Sequence, residues 1–165
     1  MKTLILMRHG LAGGGASDFS RPLTPHGRDQ VRVQAPRLEK FTPIDLALVS
    51  GATRTQETWE TLARAGIKAG AVRVERDLYS AGWRDVVALV KATAGEADTV
   101  LVVGHEPTMS AATALLAAPD SPGVTAGYAS FSTATFSVGR LVTAEDWTDL
   151  DARMLRVDAV VRPGI

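Results

Sequence analysis

The chain has 165 residues, of which 45% are hydrophobic and 22% charged, and its 18 basic and 18 acidic residues cancel. This composition is ordinary for a soluble globular protein and gives no general positive field, so we expect neither nucleic acid nor anionic lipid as a partner. The chain has no cysteine, which excludes disulfides, thiol nucleophiles and thiolate metal sites.

The length suits one hydrophobic core, so we expect a single domain over residues 1–165. No apolar run approaches the roughly 20 residues that span a bilayer, and we expect no membrane contact. Met1-Lys2 leads directly into a four-residue apolar run and then Arg8-His9, which is unlike a signal peptide. We therefore expect a cytoplasmic location.

The first predicted element is a strand at residues 4–7, whose apolar residues do not alternate with polar ones. Such a run is typical of a strand buried on both faces of a parallel sheet. Arg8, His9 and Gly10 follow it, at the sheet edge where α/β proteins bind their ligands. A guanidinium beside an imidazole suggests an oxyanion and a nucleophile, although the same residues also suit an ordinary strand end facing water.

The next segment begins with a glycine-rich loop at residues 13–15, which no helical pattern follows directly, so it is not a dinucleotide-binding motif. A helix is predicted after it, with Thr24 as the N-cap and Pro25 at the first helical position. Pro36 falls inside the helical pattern, and we expect a kink or a break there.

The rest of the chain alternates between strand and helix patterns. Strands are predicted at residues 46–49, 71–75, 99–103, 130–138 and 154–161, and helices at about 53–65, 83–90 and 107–117. In the second helix, Trp59, Leu62 and Ala63 are expected to face inward. This alternation predicts an α/β fold with three layers, α/β/α, and a mostly parallel central sheet.

Three of the predicted buried strands lead into residues that suit a phosphate site. Arg8 and His9 follow the first, Arg54 opens the helix after the second, and His105 follows the strand at 99–103. Parallel strands end at one edge of a sheet, so these four side chains could meet there. Two guanidiniums can clamp a phosphoryl group, and the helix start at Arg54 favours an anion. Taken singly, His105 would suit a structural role and Arg54 a surface one.

Three segments together resemble the histidine phosphatase superfamily, the phosphoglycerate mutase-like proteins. They are Arg8-His9-Gly10, Ser50-x-x-x-Arg54-Thr55-x-x-Thr58 and Gly104-His105-x-Pro107. The added Asp18-x-x-Arg21-Pro22-Leu23-Thr24-x-x-Gly27 element and the short length are most similar to the SixA-type phosphohistidine phosphatase branch. The resemblance covers about residues 1–116 and implies a phosphoglycerate mutase-like fold.

The resemblance also implies a role for each matching residue. His9 would be the nucleophile that becomes phosphorylated, Arg8 and Arg54 would bind the phosphoryl oxygens, and His105 would stabilise the charge of the transferring group. Arg21 is implied as a further phosphate contact. Such a two-step reaction needs no cofactor, and two arginines beside two histidines would repel a metal cation, so neither is expected.

One position departs from the wider family, many of whose members carry a glutamate that protonates the leaving group. Ser80 stands where this glutamate would fall, within Asp77-Leu78-Tyr79-Ser80. General acid catalysis is worth about 10²–10⁴-fold, so its loss should penalise sugar phosphates. The imidazole of a phosphohistidine can leave neutral once solvent protonates it. Asp77 and Glu106 remain as alternative acids.

The first hypothesis is therefore a phosphatase that acts on phosphohistidine in a partner protein, such as a phosphorelay histidine domain. The second is a phosphatase of the same fold that acts on a small phosphate ester, with Asp77 or Glu106 as the acid. The third is a phosphate-binding module without turnover, although such a module has no need of the nucleophile His9. A mutase is not expected, because 165 residues leave little room for a lid.

Overall fold

The computed structural model describes residues 1–124 and 130–165. Over these residues the strands are β1 (Thr3–Arg8), β2 (Ile44–Ser50), β3 (Ala69–Glu75), β4 (Thr99–Gly104), β5 (Phe136–Leu141) and β6 (Leu155–Val161). The α-helices are α1 (Pro25–Leu38), α2 (Thr53–Arg64), α3 (Trp83–Thr93) and α4 (Thr108–Leu116). Short 3-10 helices occupy Glu39–Phe41, Arg76–Ser80 and Trp147–Asp149.

The six strands form one sheet in the order β3-β2-β4-β1-β5-β6. The first four in this order run parallel, and β5 and β6 are antiparallel to their neighbours. A parallel pair needs a long crossover, usually a helix, whereas β5 and β6 are joined by a short segment with only a 3-10 turn. The predicted α/β class is confirmed, and the sheet is parallel in its first four strands.

The side chains of β1 divide between two hydrophobic cores, one on each face of the sheet. Leu4 and Leu6 pack with apolar residues of α3 and α4. Ile5 and Met7 pack on the other face with apolar residues of α1 and α2. All four side chains are at most 1% exposed, which explains the continuous apolar run in the sequence. The three-layer arrangement follows from this packing.

The start of α1 agrees with its sequence signals, but its end does not. Thr24 is the N-cap and its hydroxyl accepts the backbone N–H of Gly27, with Pro25 in the first turn. We expected a kink or a break at Pro36, and the break is wrong, since the helix continues through Pro36 and ends at Leu38. Pro36 lies two residues before this end, and Arg32, whose carbonyl Pro36 cannot bond, is exposed.

Two further predictions differ from the structure. In α2, Leu62 is buried and Trp59 half-buried, but Ala63 is exposed, and the inner face carries Thr58 in its place. The strand predicted at residues 130–138 begins only at Phe136. The residues just before Phe136 form a loop whose backbone hydrogen-bonds to the end of β1. Such a loop has no periodic sequence pattern by which it could be predicted. Among the helices of the described residues, none is long and apolar enough to cross a membrane.

Candidate active site

The central strands end level with one another. Arg8 at the end of β1 pairs with Gly104 at the end of β4, and Val103 pairs in turn with Val49 of β2. The backbone N–H of His9 also donates to Gly104 O, at 3.1 Å, which extends the pairing by one residue. The residues that follow these strands therefore share one edge of the sheet, as their order in the sequence predicted.

The turn after β1 lies against the first turn of α1, and two glycines allow this contact. A Cβ at Gly10 would lie 2.7 Å from the carbonyl oxygen of Gly27, and a Cβ at Gly27 would clash with the carbonyl oxygen of Leu11. Thr58 of α2 fixes the same turn, since its hydroxyl accepts the N–H of Gly10 at 3.1 Å. The backbone beside His9 is thus held from two helices.

His9 is held as a neutral imidazole with a defined tautomer. Its Nδ1 lies 2.6 Å from the carbonyl oxygen of Gly10, and a carbonyl oxygen only accepts, so Nδ1 carries the proton. Its Nε2 therefore has the lone pair and accepts from Nε of Arg54 at 3.2 Å. Burial is the main cause that lowers the pKa of His9 to about 3; the nearby His105, Arg54 and Arg8 act in the same direction, and the hydrogen bond to Gly10 opposes them. Nε2 is therefore the ring nitrogen that carries the lone pair.

Arg54 opens α2 and is 7% exposed. Its two terminal nitrogens donate to Asp18, one to the backbone oxygen at 2.7 Å and one to carboxylate Oδ2 at 3.1 Å. All three nitrogens of the guanidinium are therefore engaged, one with His9 and two with Asp18. A cation at the start of a helix, next to the lone pair of His9, suits the binding of an oxyanion.

His105 lies opposite His9, with 5.4 Å between the ring centroids. Its Nε2 is 2.7 Å from the hydroxyl of the buried Ser50, which also accepts the N–H of Ala52 at 3.4 Å. We assign the hydroxyl proton of Ser50 to Nε2, since the hydroxyl makes no hydrogen bond to another acceptor within the described residues, and the ring proton of His105 to Nδ1. Burial and the charges of Arg54 and Arg8 lower the pKa of His105 to about 4.

Two buried nitrogen atoms of the site have no hydrogen-bond partner within residues 1–124 and 130–165. They are Nε of Arg8 and Nδ1 of His105. Another nitrogen of Arg8 donates to the backbone oxygen of Phe131 at 2.8 Å, and burial lowers the pKa of Arg8. Because buried donors are normally satisfied, these two indicate a site for an acceptor, such as a phosphoryl oxygen.

Arg21 reaches the site through Asp18. Its Nε donates to the backbone oxygen of Gly13 at 2.8 Å, and a terminal nitrogen donates to Oδ1 of Asp18 at 3.0 Å. The other carboxylate oxygen of Asp18 binds Arg54. The structure thus brings Arg8, His9, Arg54 and His105 together and connects Arg21 to them by way of one carboxylate.

Sequence reasoning gave no role to Asp18, Tyr79 or Ser50, and all three belong to the site. The Tyr79 hydroxyl donates to Asp18, and its ring meets the His105 ring edge-on at a centroid distance of 5.5 Å. Hydrogen bonds from Tyr79, Arg21 and Arg54 hold the pKa of Asp18 well below its usual range. The hydrogen bond to Asp18 in turn raises the pKa of Tyr79. Asp18 and Ser50 stood in the motifs, but nothing in the sequence marked Tyr79.

The two carboxylates that the sequence offered as alternative acids, Asp77 and Glu106, have different surroundings. Asp77 is exposed and lines a cavity beside α3 together with Ser80 and Asp85. The carboxylate of Glu106 accepts two hydrogen bonds from Ser110, at 2.8 and 2.6 Å, and one from the N–H of Phe131 at 3.0 Å. Within the described part of the chain, no three histidine, aspartate or glutamate side chains are grouped to hold a metal ion.

Comparisons with known proteins agree with this arrangement. The family model of the histidine phosphatase superfamily (branch 1) matches residues 4–83. An uncharacterized protein of Mycobacterium tuberculosis is 34% identical over 149 residues, which cover 88% of this chain and 92% of the relative.

Solved structures extend the likeness over the whole chain. A candidate phosphohistidine phosphatase SixA from Nakamurella multipartitia has a TM-score of 0.84 at 32% identity, covering 99% of this chain and 97% of its own. The protein histidine phosphatase SixA complexed with tungstate has a TM-score of 0.79 at 27% identity, with 98% and 97% covered. A mycobacterial glucosyl-3-phosphoglycerate phosphatase, at 19% identity and a TM-score of 0.65, shares the fold.

Proposed function

Since the chain belongs to the histidine phosphatase superfamily, in its SixA-type branch, and is a phosphatase, we propose that it removes the phosphoryl group from phosphohistidine in a partner protein. The observation that carries the proposal is the pairing of a neutral His9 with two unsatisfied buried donors, Arg8 Nε and His105 Nδ1. A nucleophile beside donors for an oxyanion suits phosphoryl transfer, in which positioning and electrostatics supply most of the catalysis.

The carboxylates near the site favour phosphohistidine over a phosphate ester. Glu106 is occupied by three donors, Asp77 is exposed beside α3, and the pKa of Asp18 is held too low for it to give up a proton. An alkoxide leaving group needs a general acid, whereas imidazole leaves neutral after protonation by water. The matched structures named as phosphohistidine phosphatases support the same substrate class.

In the first step, Nε2 of His9 forms a bond to phosphorus while the bond from phosphorus to the nitrogen of the substrate imidazole breaks. The leaving imidazole takes a proton from water. Nε2 has to lose its hydrogen bond to Arg54 for this attack, so Arg54 turns its donors from His9 and Asp18 to the phosphoryl oxygens. Arg8 Nε and His105 Nδ1 bind the oxygens as the charge develops.

In the second step, water attacks the phosphorus of phosphorylated His9, the P–N bond breaks, and Nε2 regains its lone pair. One proton of this water stays on the departing phosphate and the other goes to solvent, which balances the proton taken from water in the first step. Arg21 takes part as a further phosphate contact. It shares the Asp18 carboxylate with Arg54, so a phosphoryl group that replaced this carboxylate would meet both guanidiniums. The substrate anion would thus take the place of an internal one.

The test compares a protein that carries phosphohistidine, such as a phosphorelay histidine domain, with a panel of sugar and alkyl phosphates. We expect phosphate release from the phosphoprotein and acid-labile phosphate trapped on the chain, both lost in His9→Ala. Efficient turnover of alkyl phosphates without release from the phosphoprotein would contradict the proposed substrate. Phosphate binding without turnover would mean a binding module.

A further inference from the structure

The peptide group between Gly10 and Leu11 connects His9 to helix α1. Its carbonyl oxygen accepts from Nδ1 of His9 at 2.6 Å, and its N–H donates to Oε1 of Gln30 at 2.9 Å. This peptide bond is trans, so its C=O and N–H point in opposite directions in one rigid plane. A side chain that holds the N–H therefore also sets the direction of the carbonyl.

The amide of Gln30 has an orientation fixed by its partners. Oε1 accepts both the N–H of Leu11 and the hydroxyl of Thr133, at 2.9 Å each. Nε2 donates to the backbone oxygen of Ile165 at 3.1 Å. The side chain is 5% exposed, so water does not compete for these bonds. A flipped amide would place its NH₂ group against the N–H of Leu11 and its oxygen against the backbone oxygen of Ile165.

We propose that Gln30 is a positioning residue that fixes the Nδ1–H tautomer of His9 through the Gly10–Leu11 peptide and so keeps Nε2 available for attack. The proposal rests on the proposed function, in which His9 is the nucleophile. Hydrogen bonds in a chain polarise one another, and here they run from His9 Nδ1–H through the peptide to the amide oxygen of Gln30. Without Gln30 this peptide loses the hydrogen bond that fixes its plane, while Thr58 still holds the N–H of Gly10. The carbonyl of Gly10 is then less well directed at Nδ1, and the restraint that selects the tautomer of His9 weakens.

Gln34 provides a matched control because it lies one turn later on the same helix and is fully buried. Its Nε2 donates to the backbone oxygens of Ala134 and Val161, at 2.8 Å each. Both glutamines thus connect α1 to the loop before β5 and to the C-terminal segment. The Oε1 of Gln30 bonds the peptide that carries the acceptor of His9, whereas the Oε1 of Gln34 accepts from Arg37 at 3.2 Å.

The experiment compares Gln30→Leu with Gln34→Leu in the full chain. In Gln30→Leu we expect the ¹⁵N ring signals of His9 to change from the pure Nδ1–H tautomer to a mixture, and kcat to fall about tenfold, the effect of one hydrogen bond. KM should stay within about twofold, because Arg8 and Arg54 are untouched. Gln34→Leu should leave the His9 signals unchanged and kcat within about twofold of wild type.

A conservative variant covers the case in which Gln30→Leu does not fold. Gln30→Glu keeps an acceptor for the Leu11 N–H and gives up the donor to Ile165, so the His9 tautomer should persist. Loss of that tautomer in Gln30→Glu would overturn the proposal. Unchanged His9 signals in a folded Gln30→Leu, or equal changes in Gln34→Leu, would also overturn it.

The NMR measurement uses the free protein and does not depend on the substrate. If His9→Ala kept full phosphatase activity, the proposed function would fail, whereas the tautomer of His9 would still report on Gln30. If His9→Ala were inactive and Gln30→Leu behaved as wild type, only the role of Gln30 would fail.

Discussion

The two imidazoles of the site are held by different regions of the chain and in different ways. His9, after β1, donates from Nδ1 to a backbone carbonyl and turns the lone pair of Nε2 toward Arg54. His105, after β4, is bonded at Nε2 to the hydroxyl of Ser50, and its Nδ1 has no partner among the residues described. One ring thus presents a lone pair and the other presents a donor.

This difference does not come from charge. Burial lowers the pKa of both rings, to about 3 for His9 and about 4 for His105, so both are neutral near pH 7. The direction of one hydrogen bond at each ring decides which nitrogen keeps the proton. A rigid backbone carbonyl leaves the lone pair of His9 on Nε2, and a rotatable hydroxyl leaves the ring proton of His105 on Nδ1.

The largest expected fall in kcat comes from removing His105, the ring that presents a donor. We expect His105→Ala to lower kcat on a phosphohistidine protein by about 10²–10³-fold, the usual cost of losing one donor to a transition-state oxygen. His9 keeps its own partners, so phosphate should still be trapped on it. The measurement is single-turnover phosphate transfer. The control is His26→Ala, since His26 is exposed on α1. A loss of less than about fivefold would remove His105 from the proposed role.

The pH dependence of stability tests whether His9 is buried in its neutral form. Its folded pKa of about 3 is below the unfolded value near 6.5, so the unfolded chain binds more protons as pH falls. The stabilisation is therefore complete above pH 6.5 and is lost between about pH 6.5 and 3. At pH 5 the loss should be on the order of 2 kcal/mol.

Urea unfolding at pH 7 and pH 5 measures this loss. His9→Gln removes the titrating ring, so it should lose about 2 kcal/mol less than wild type over the same interval. His105 remains in both proteins, and its lowered pKa acts in the same direction. Equal losses of unfolding free energy in wild type and His9→Gln would contradict this prediction. They would show that His9 has the same pKa in the folded and the unfolded protein.

The sequence predicted the site residues at the end of β1, because an apolar run typical of a buried strand leads directly into residues that can bind a phosphoryl group. The apolar run before Arg8 and His9 predicts a buried strand, and parallel register then brings the ends of β1, β2 and β4 level. Arg54 and His105 follow from the same rule. The sequence thus predicted the site residues that follow a buried parallel strand directly, as His9 and His105 do, or that stand in the first turn of the next helix, as Arg54 does.

Contacts made by loops could not be predicted in this way. Arg8 donates to the backbone oxygen of Phe131, 123 residues away, and a backbone carbonyl leaves no trace in the sequence. Ala134 adopts a φ of 62°, a conformation that an alanine in the sequence does not predict. Tyr79 contacts Asp18 from a short 3-10 helix with no periodic pattern. These contacts depend on the complete fold.

Replacing Ser50 sharpens the comparison without removing either ring. In Ser50→Ala the Nε2 of His105 loses its partner, so we expect a mixture of His105 tautomers and a fall in kcat of about tenfold. The His9 signals should not change, because Gly10 still accepts from Nδ1.

The measurements are ¹⁵N ring signals of both histidines and kcat. Thr113→Val serves as the control, since Thr113 is a buried hydroxyl that bonds Ser137 instead of a catalytic residue. A His105 spectrum that stayed the same in Ser50→Ala would mean that the fold sets this tautomer without the hydroxyl.

The smallest expected change in kcat comes from the carboxylates near the site, because neither these carboxylates nor the two histidines are expected to protonate the leaving group. Asp77→Asn should leave kcat on phosphohistidine within about twofold, as expected for an exposed side chain. Glu106→Gln should lower kcat several-fold, because Glu106 holds the N–H of Phe131, whose carbonyl orients Arg8. The basic limb of the pH–rate profile should stay in place in both variants, since neither carboxyl donates a proton.

Parallel pH–rate profiles on the phosphoprotein and on a sugar phosphate separate this prediction from its alternative. If a bell-shaped profile on the sugar phosphate collapsed in Asp77→Asn or Glu106→Gln, that carboxyl would be a general acid and the substrate a phosphate ester. Catalysis would then depend on that carboxyl in addition to the two histidines. If the profiles of both variants keep their shape, water protonates the leaving group. Protonation by water is sufficient for an imidazole leaving group but not for an alkoxide.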